Sequence, residues 1–218
     1  MPVKLVDQRI AIEGVKRLNK EYPKAEYYLN WSIPLELFVA AMLSPQVRDE
    51  VVNACTPKLF SKYKTARDYA NSDIKEFVEI IKTVSFPAMK TARIRKACKV
   101  LVEKFDGRVP GTMMELTKIP GIGRKTANTI LMNAFDKVQG VPVDTHVIRL
   151  SYRLGWTKSK DPDRIEQDLM KLIPNEHWKK IAYQLKAHGR TICRAPVPYC
   201  SKCFLSDICP KNGVTKKN

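Results

Sequence analysis

The chain has 218 residues, 44% of them hydrophobic, which is enough to bury one large core or two small ones and argues against a disordered chain. Its 39 Lys and Arg against 22 Asp and Glu leave a net charge of +17. That field favours polyanions, nucleic acid first, although a solvated lysine-rich surface carries the same charge. The first residues contain no apolar core followed by a small-residue cleavage site, and no apolar run reaches the roughly 18 residues of a membrane span. We therefore expect a soluble, intracellular protein of the cytoplasm or nucleoid, with no membrane partner.

Strand-type alternation is scarce and helical spacing recurs along the chain, so the expected fold class is all-α. Residues 34–43 are apolar on every side except at Glu36, as in a short helix buried all round in the middle of a bundle. Further on, Ile94, Ala97, Cys98, Leu101, Val102 and Phe105 form one stripe, with Arg93, Arg95, Lys96, Lys99 and Lys104 on the other faces. That pattern predicts a core helix with a wet, basic back. Thr112 and Glu115 have capping-box spacing and open a short helix that ends near Thr117.

Pro120-Gly121-Ile122-Gly123 then makes a turn, and Arg124 to Phe135 resumes helical spacing with Ala127, Ile130, Leu131 and Ala134 on one face. A helix, a tight glycine turn and a second helix can hold a phosphate on backbone N–H groups without reading any base. An ordinary helix connection has the same spacing. Lys125 falls in the first turn of the second helix, where the helix dipole and Arg124 disfavour an ammonium, so its pKa should fall. A neutral lysine can form a Schiff base with a sugar; a lysine that faces solvent or binds phosphate is the plainer alternative.

Val143-Asp144-Thr145-His146 precedes a stripe at Val147, Leu150, Ser151 and Leu154. Asp144 reads as an N-cap, and the same carboxylate could stabilise a cationic sugar or move a proton. His146 reads either as a packed residue or as a substrate contact. Asp161 and Pro162 open a helix with Ile165, Leu169 and Leu172 on its buried side, and Asn175 starts another, marked by Trp178, Ile181, Ala182 and Leu185 and stopped at Gly189. Cys193, Cys200, Cys203 and Cys209 follow, separated by six, two and five residues. Four thiolates in so short a loop suit one compact centre, and spacing alone leaves zinc and iron-sulfur open. Cys55 and Cys98 lie on apolar helical faces and read as small buried hydrophobes. Only residues 216–218 look loose.

The hairpin from Leu116 to Asn128, the Val143–His146 segment and the cysteine spacing together resemble the endonuclease III branch of the helix-hairpin-helix glycosylase superfamily, along nearly the whole chain. The resemblance implies a bifunctional enzyme of base excision repair: an N-glycosylase for damaged, oxidised pyrimidines and a lyase that cuts the abasic site by β-elimination. It implies Lys125 as the nucleophile, Asp144 as the catalytic carboxylate, and a 4Fe-4S cluster on Cys193, Cys200, Cys203 and Cys209. Gln46 and Phe86 would wedge into the gap left by an extruded base. Gly121, Gly123, Arg124, His146 and Arg194 would contact DNA. The implied architecture is a six-helix domain at 29–138 with the hairpin, a cluster domain from 1–28 and 139–218, and a DNA cleft between them, in a monomer that binds double-stranded DNA with a damaged base or abasic site.

Three features depart from the branch. Ser85 and Pro87 stand where a glycine and an aromatic are common beside Phe86, Pro45 replaces a small residue beside Gln46, and the 194–199 loop holds one basic residue, Arg194, where relatives often hold several. Two rival readings remain: a monofunctional glycosylase in which Asp144 directs water and Lys125 only binds phosphate, and a DNA-binding or redox module without catalysis.

Overall fold

A computed structural model describes residues 2–218, and no strand occurs among them. The chain divides into two compact units. The middle unit is Tyr28–Lys137, and the terminal unit joins the residues up to Tyr27 with Val138–Asn218.

The middle unit is built from α2 (Pro34–Leu43), α3 (Asp49–Lys62), α4 (Ala66–Asn71), α5 (Ile74–Ile80), α6 (Pro87–Lys104), α7 (Met113–Leu116) and α8 (Arg124–Ala134). Its centre is α2, with every residue from Leu37 to Leu43 buried, packed against α3, α6 and α8. Pro34 suits the first turn because its missing N–H would have no helical partner there, and Glu36 accepts a hydrogen bond from Ser32 N at 2.7 Å. Burying a side chain such as Leu37 contributes about 2 kcal/mol. Tyr63, Tyr69 and Phe77 pack together with ring centroids 5.2 to 6.0 Å apart. On α6 the buried stripe is Ile94, Ala97, Cys98 and Leu101, while Val102 and Phe105 at its end are half-buried. At the head of the same stripe lies Lys90, only 4% exposed. Thr112 caps α7 by accepting from Glu115 N at 3.3 Å.

The terminal unit consists of α1 (Gln8–Glu21), α9 (Thr145–Arg153), α10 (Pro162–Leu172) and α11 (Trp178–Thr191), followed by the cysteine loop. Its core includes Val15, Leu18, Val147, Leu150, Leu169, Ile181, Leu185 and Leu205. Asp161 caps α10 as its sequence predicts, accepting from Arg164 N at 2.9 Å. Asn212 ties three segments: its amide donates to Lys4 O at 2.8 Å and to Tyr152 O at 3.1 Å, and its Oδ1 accepts from Lys4 N.

Two expectations need correction. Gly189 does not stop α11, which runs on to Thr191. It is buried, and a Cβ there would stand 2.7 Å from His146 Nδ1 and 2.9 Å from Arg149 Nη2. The residue is small because α9 and α11 approach closely there, not because the backbone turns. Of the tail at 216–218, Asn218 is not loose either. Asn218 N donates to Pro198 O, and Ser201 N donates to Asn218 O, both at 3.0 Å, so the tail pairs with the cysteine loop through its backbone.

Candidate functional site

In the middle unit, the hairpin hangs from Leu116, Ile119 and Ile122, all buried. Ile119 N donates to Leu116 O and Ile122 N to Ile119 O, each at 3.1 Å, which closes the turn within its own few residues. Gly121 has φ +87°, which strains any side chain there, and a Cβ would also crowd Met42 Cε at 3.1 Å. Gly123 differs. It is the N-cap of α8 with φ −90°, and a Cβ on it would meet nothing within 4 Å. No side chain caps the helix there. The first turn of α8 therefore presents its N-terminal end with exposed Arg124 and half-buried Lys125 upon it.

The two loops that carry Gln46 and Phe86 also belong to the middle unit. Both residues are exposed and left-handed, with φ of 59° and 56°. Ser85 Oγ donates to Gln46 O at 3.1 Å, so the structure brings these two loops together.

In the terminal unit, Asp144 caps α9. Its Oδ1 accepts from His146 N at 2.8 Å and from Val147 N at 2.9 Å. Both bonds fall on one oxygen, which leaves Oδ2 available for a second task, so capping does not compete with chemistry. His146 is half-buried, with Nδ1 3.2 Å from Arg149 Nη2 and the same atom against Gly189. Burial and the neighbouring cations Arg149, Lys186 and Arg190 lower its pKa, against the opposing pull of Asp144.

Cys193, Cys200, Cys203 and Cys209 line one cavity with Arg153, His188, Tyr199 and Lys211. Its charged lining residues are cations. Arg153 Nη1 donates to Cys193 Sγ at 3.4 Å and to Arg194 O at 2.7 Å, and its Nη2 to Pro196 O at 3.2 Å. Arg149 donates to Gly189 O and Cys193 O. His188 is 1% exposed; its Nε2 lies 3.4 Å from Cys203 Sγ and its Nδ1 3.1 Å from the Tyr22 hydroxyl. Burial drops the His188 pKa to about 4, which keeps the imidazole neutral. Burial also pushes the Cys209 thiol up to about 11 even with Lys211 nearby, so a metal centre bound there would have to displace its proton. Arg194 is exposed, with its guanidinium 5.4 Å from the Tyr199 ring centroid.

Sequence reasoning missed Lys90, Arg149, Arg153 and His188. Three of them carried a signal. Lys90 heads the apolar stripe of α6, Arg153 follows Leu150 on the stripe of α9, and His188 follows Leu185 on that of α11. A polar residue on a buried stripe must find internal partners.

Residues 39–175 match the HhH-GPD superfamily base excision DNA repair proteins. The chain is 48% identical to Endonuclease III from Synechocystis sp. over 92% of its own length and 91% of the relative's. It is 37% identical to Endonuclease III from Thermotoga maritima, with 93% and 91% covered, and 34% identical to that of Escherichia coli, with 91% and 93% covered. Of solved structures, a trapped Endonuclease III-DNA covalent intermediate matches with a TM-score of 0.90 at 36% identity, over 95% of this chain and 97% of that one. A thermostable thymine-DNA glycosylase shares the fold at 19% identity, with a TM-score of 0.82. A family match across more than half of the chain, and relatives of 34% to 48% identity along nearly all of it, show that the chain belongs to the HhH-GPD superfamily, in its endonuclease III-type branch of DNA glycosylases and abasic-site lyases.

Proposed function

We propose that this protein excises oxidised pyrimidines from double-stranded DNA and cuts the resulting abasic site, with Lys125 as nucleophile and Asp144 as catalytic carboxylate. The observation that carries the reading is the position of Lys125, half-buried in the first turn of a helix that no side chain caps, directly after a glycine turn. Gly123 supports it. Nothing inside the protein requires glycine there, whereas a DNA phosphate brought against the helix N-terminus would.

In this mechanism the neutral Lys125 amine attacks C1′ of an extruded nucleotide. The new C–N bond forms as the glycosidic bond breaks, and its electron pair leaves with the base. Asp144 Oδ2 opposes the positive charge that builds on the sugar, while Oδ1 keeps the cap. The attached amine then gives up a proton, which passes to O4′ as the C1′–O4′ bond breaks and the sugar opens to a Schiff base. The Schiff base acidifies the C2′ hydrogen, a base removes it, and β-elimination expels the 3′ phosphate with the C3′–O bond pair. Gln46 and Phe86 occupy the space the base leaves, and the exposed Arg194 meets the phosphate backbone. Phe86 is 58% exposed, which leaves its ring accessible to the DNA.

For the cysteine cavity we propose a 4Fe-4S cluster held by Cys193, Cys200, Cys203 and Cys209. The donor set fits: four thiols beside cations, with no carboxylate in the lining. The six, two, five spacing of these cysteines, which is the one this branch uses for such a cluster, supports it over a single zinc ion. When bound, the cluster would supply positive iron charge that keeps the four thiols ionised. Iron and sulfide analysis, with a yellow-brown colour, distinguishes it from colourless zinc. No helix among the described residues is long and apolar enough to cross a membrane; an intracellular monomer acting on DNA is the reading its relatives' activity supports.

Borohydride trapping tests the chemistry, because it reduces a Schiff base to a stable bond. On a duplex with thymine glycol or an abasic site, the native protein gives a covalent protein-DNA band that vanishes with Lys125→Ala and weakens with Asp144→Asn. Base release by the native protein with no band would instead establish the monofunctional enzyme.

A further inference from the structure

Lys90 is a cation on a buried stripe, yet none of its hydrogen bonds goes to a carboxylate. Its Nζ donates to Leu43 O at 2.6 Å and to Pro45 O at 2.8 Å, and stands 3.5 Å from Ser85 Oγ. Three ammonium protons thus meet three oxygens. The first two belong to the end of α2 and the turn that leads to Gln46; the third belongs to the residue before Phe86. The backbone of Lys90 adds a fourth link, since Lys90 N donates to Phe86 O at 3.0 Å. Ser85 Oγ in turn donates to Gln46 O. Burial holds the ammonium below its usual pKa, so the carbonyls must compensate for the water it has lost.

What this network holds is strained. Gln46 and Phe86 are both left-handed, a conformation that L side chains enter only at a cost and keep only when their surroundings impose it. Nearby strained residues on two exposed loops, one of them a largely exposed phenylalanine, are held by one buried cation and one hydroxyl.

We infer that Lys90 and Ser85 form a latch that holds the Gln46 and Phe86 loops in one preset arrangement, so that both side chains enter the DNA together when the damaged nucleotide leaves the helix. This rests on the reading of Gln46 and Phe86 as wedges, and it makes Lys90 and Ser85 positioning residues for base extrusion. Ser85, one of the departures from the branch, acquires a role: its hydroxyl is the direct link from one loop to the other. An arrangement fixed in advance spares the ordering cost that two free loops would pay on binding.

The test uses the full-length, cluster-loaded protein and two readouts. The first is the emission of 2-aminopurine opposite a thymine glycol in a duplex, which rises when the lesion is extruded and its partner unstacks. The second is cleavage of a preformed abasic site in single-stranded DNA, which needs no wedge. Lys90→Met should lower the extrusion rate about tenfold or more, as expected for loss of several charged hydrogen bonds. Ser85→Ala should lower it about threefold, as expected for one neutral bond, and Ser85→Thr should restore it. Single-strand cleavage should fall far less in each variant. Where Lys90→Met fails to fold, the Ser85→Ala and Ser85→Thr pair carries the test. Equal losses in both readouts would reduce the latch to general scaffolding and overturn it. Losses from Gln46→Ala and Phe86→Ala with none from folded Lys90→Met or Ser85→Ala would keep the wedges and overturn the latch. No loss from Gln46→Ala or Phe86→Ala would overturn the wedge reading itself.

Discussion

The Pro120–Gly123 turn and the Cys193–Cys209 loop are both irregular segments beside a helix end, yet they are held in opposite ways. The turn closes on its immediate neighbours: Leu116, Ile119 and Ile122 anchor it, and its backbone bonds span three residues. The cysteine loop is held from far along the chain. Arg149 and Arg153 reach its carbonyls from 40 or more residues away, Tyr22 meets the histidine that faces Cys203, and Arg17 donates to Phe204 O and Asp207. A segment held by its neighbours keeps its shape without help. A segment held by distant residues around a cavity lined by four thiols depends on what those thiols bind, because ligand binding at such a site is coupled to folding.

The sharpest way to break this comparison is to remove the cluster proposed for the loop by oxidation and chelation. If it is held there, the terminal unit should lose on the order of 5 kcal/mol or more of stability, because metal binding of this kind is coupled to folding. Hydrogen exchange should show residues 193–209 and the facing side of α9 opening while α8 and the hairpin stay protected. Equal loss of protection in the hairpin would mean the two segments are not independently held.

A smaller effect comes from Arg153→Met with the cluster loaded. Arg153 is buried and donates to Cys193, Arg194 and Pro196, so its loss should cost about 3 kcal/mol in urea unfolding and speed loss of iron, as expected when several carbonyls lose a charged donor. The hairpin should not register the change.

Within the hairpin the smallest effects separate its two glycines. Gly121→Ala must adopt φ +87° against Met42 and should cost about 1–2 kcal/mol in thermal unfolding. Gly123→Ala has ordinary backbone and open space and should cost well under that, about 0.5 kcal/mol from the poorer N-cap. Fluorescence anisotropy should nevertheless show Gly123→Ala binding abasic-site DNA more weakly. Unchanged binding would remove the close approach of phosphate from the account of Gly123.

Much of the fold was legible because helical periodicity is a local code. The all-apolar run at 34–43 is a helix buried on every side, Asp161 and Pro162 do open α10, and Asp144 is an N-cap. Errors arose where local signals have two physical causes. Glycine near the end of a stripe suggests a stop, but Gly189 is there for lack of space beside His146 and Arg149. A lysine-rich terminus suggests a loose tail, but the backbone of Asn218 pairs with Pro198 and Ser201. Both causes lie on another part of the chain, where no local pattern can show them.

The sequence by itself determined the all-helical class, the caps, the glycine turn and the cysteine spacing, because each depends on residues within a few positions of one another. Lys90, Arg153 and His188 also lie on apolar stripes, a signal that reading the sequence passed over. Only the tertiary structure decided what those residues hold: Lys90 the two strained loops, Arg153 the carbonyls of the cysteine loop, His188 the space between Tyr22 and Cys203. Periodicity specifies which side of a helix is buried, whereas the partners it meets there are set by chain segments dozens to more than a hundred residues away, so burial can be read locally and partnership cannot.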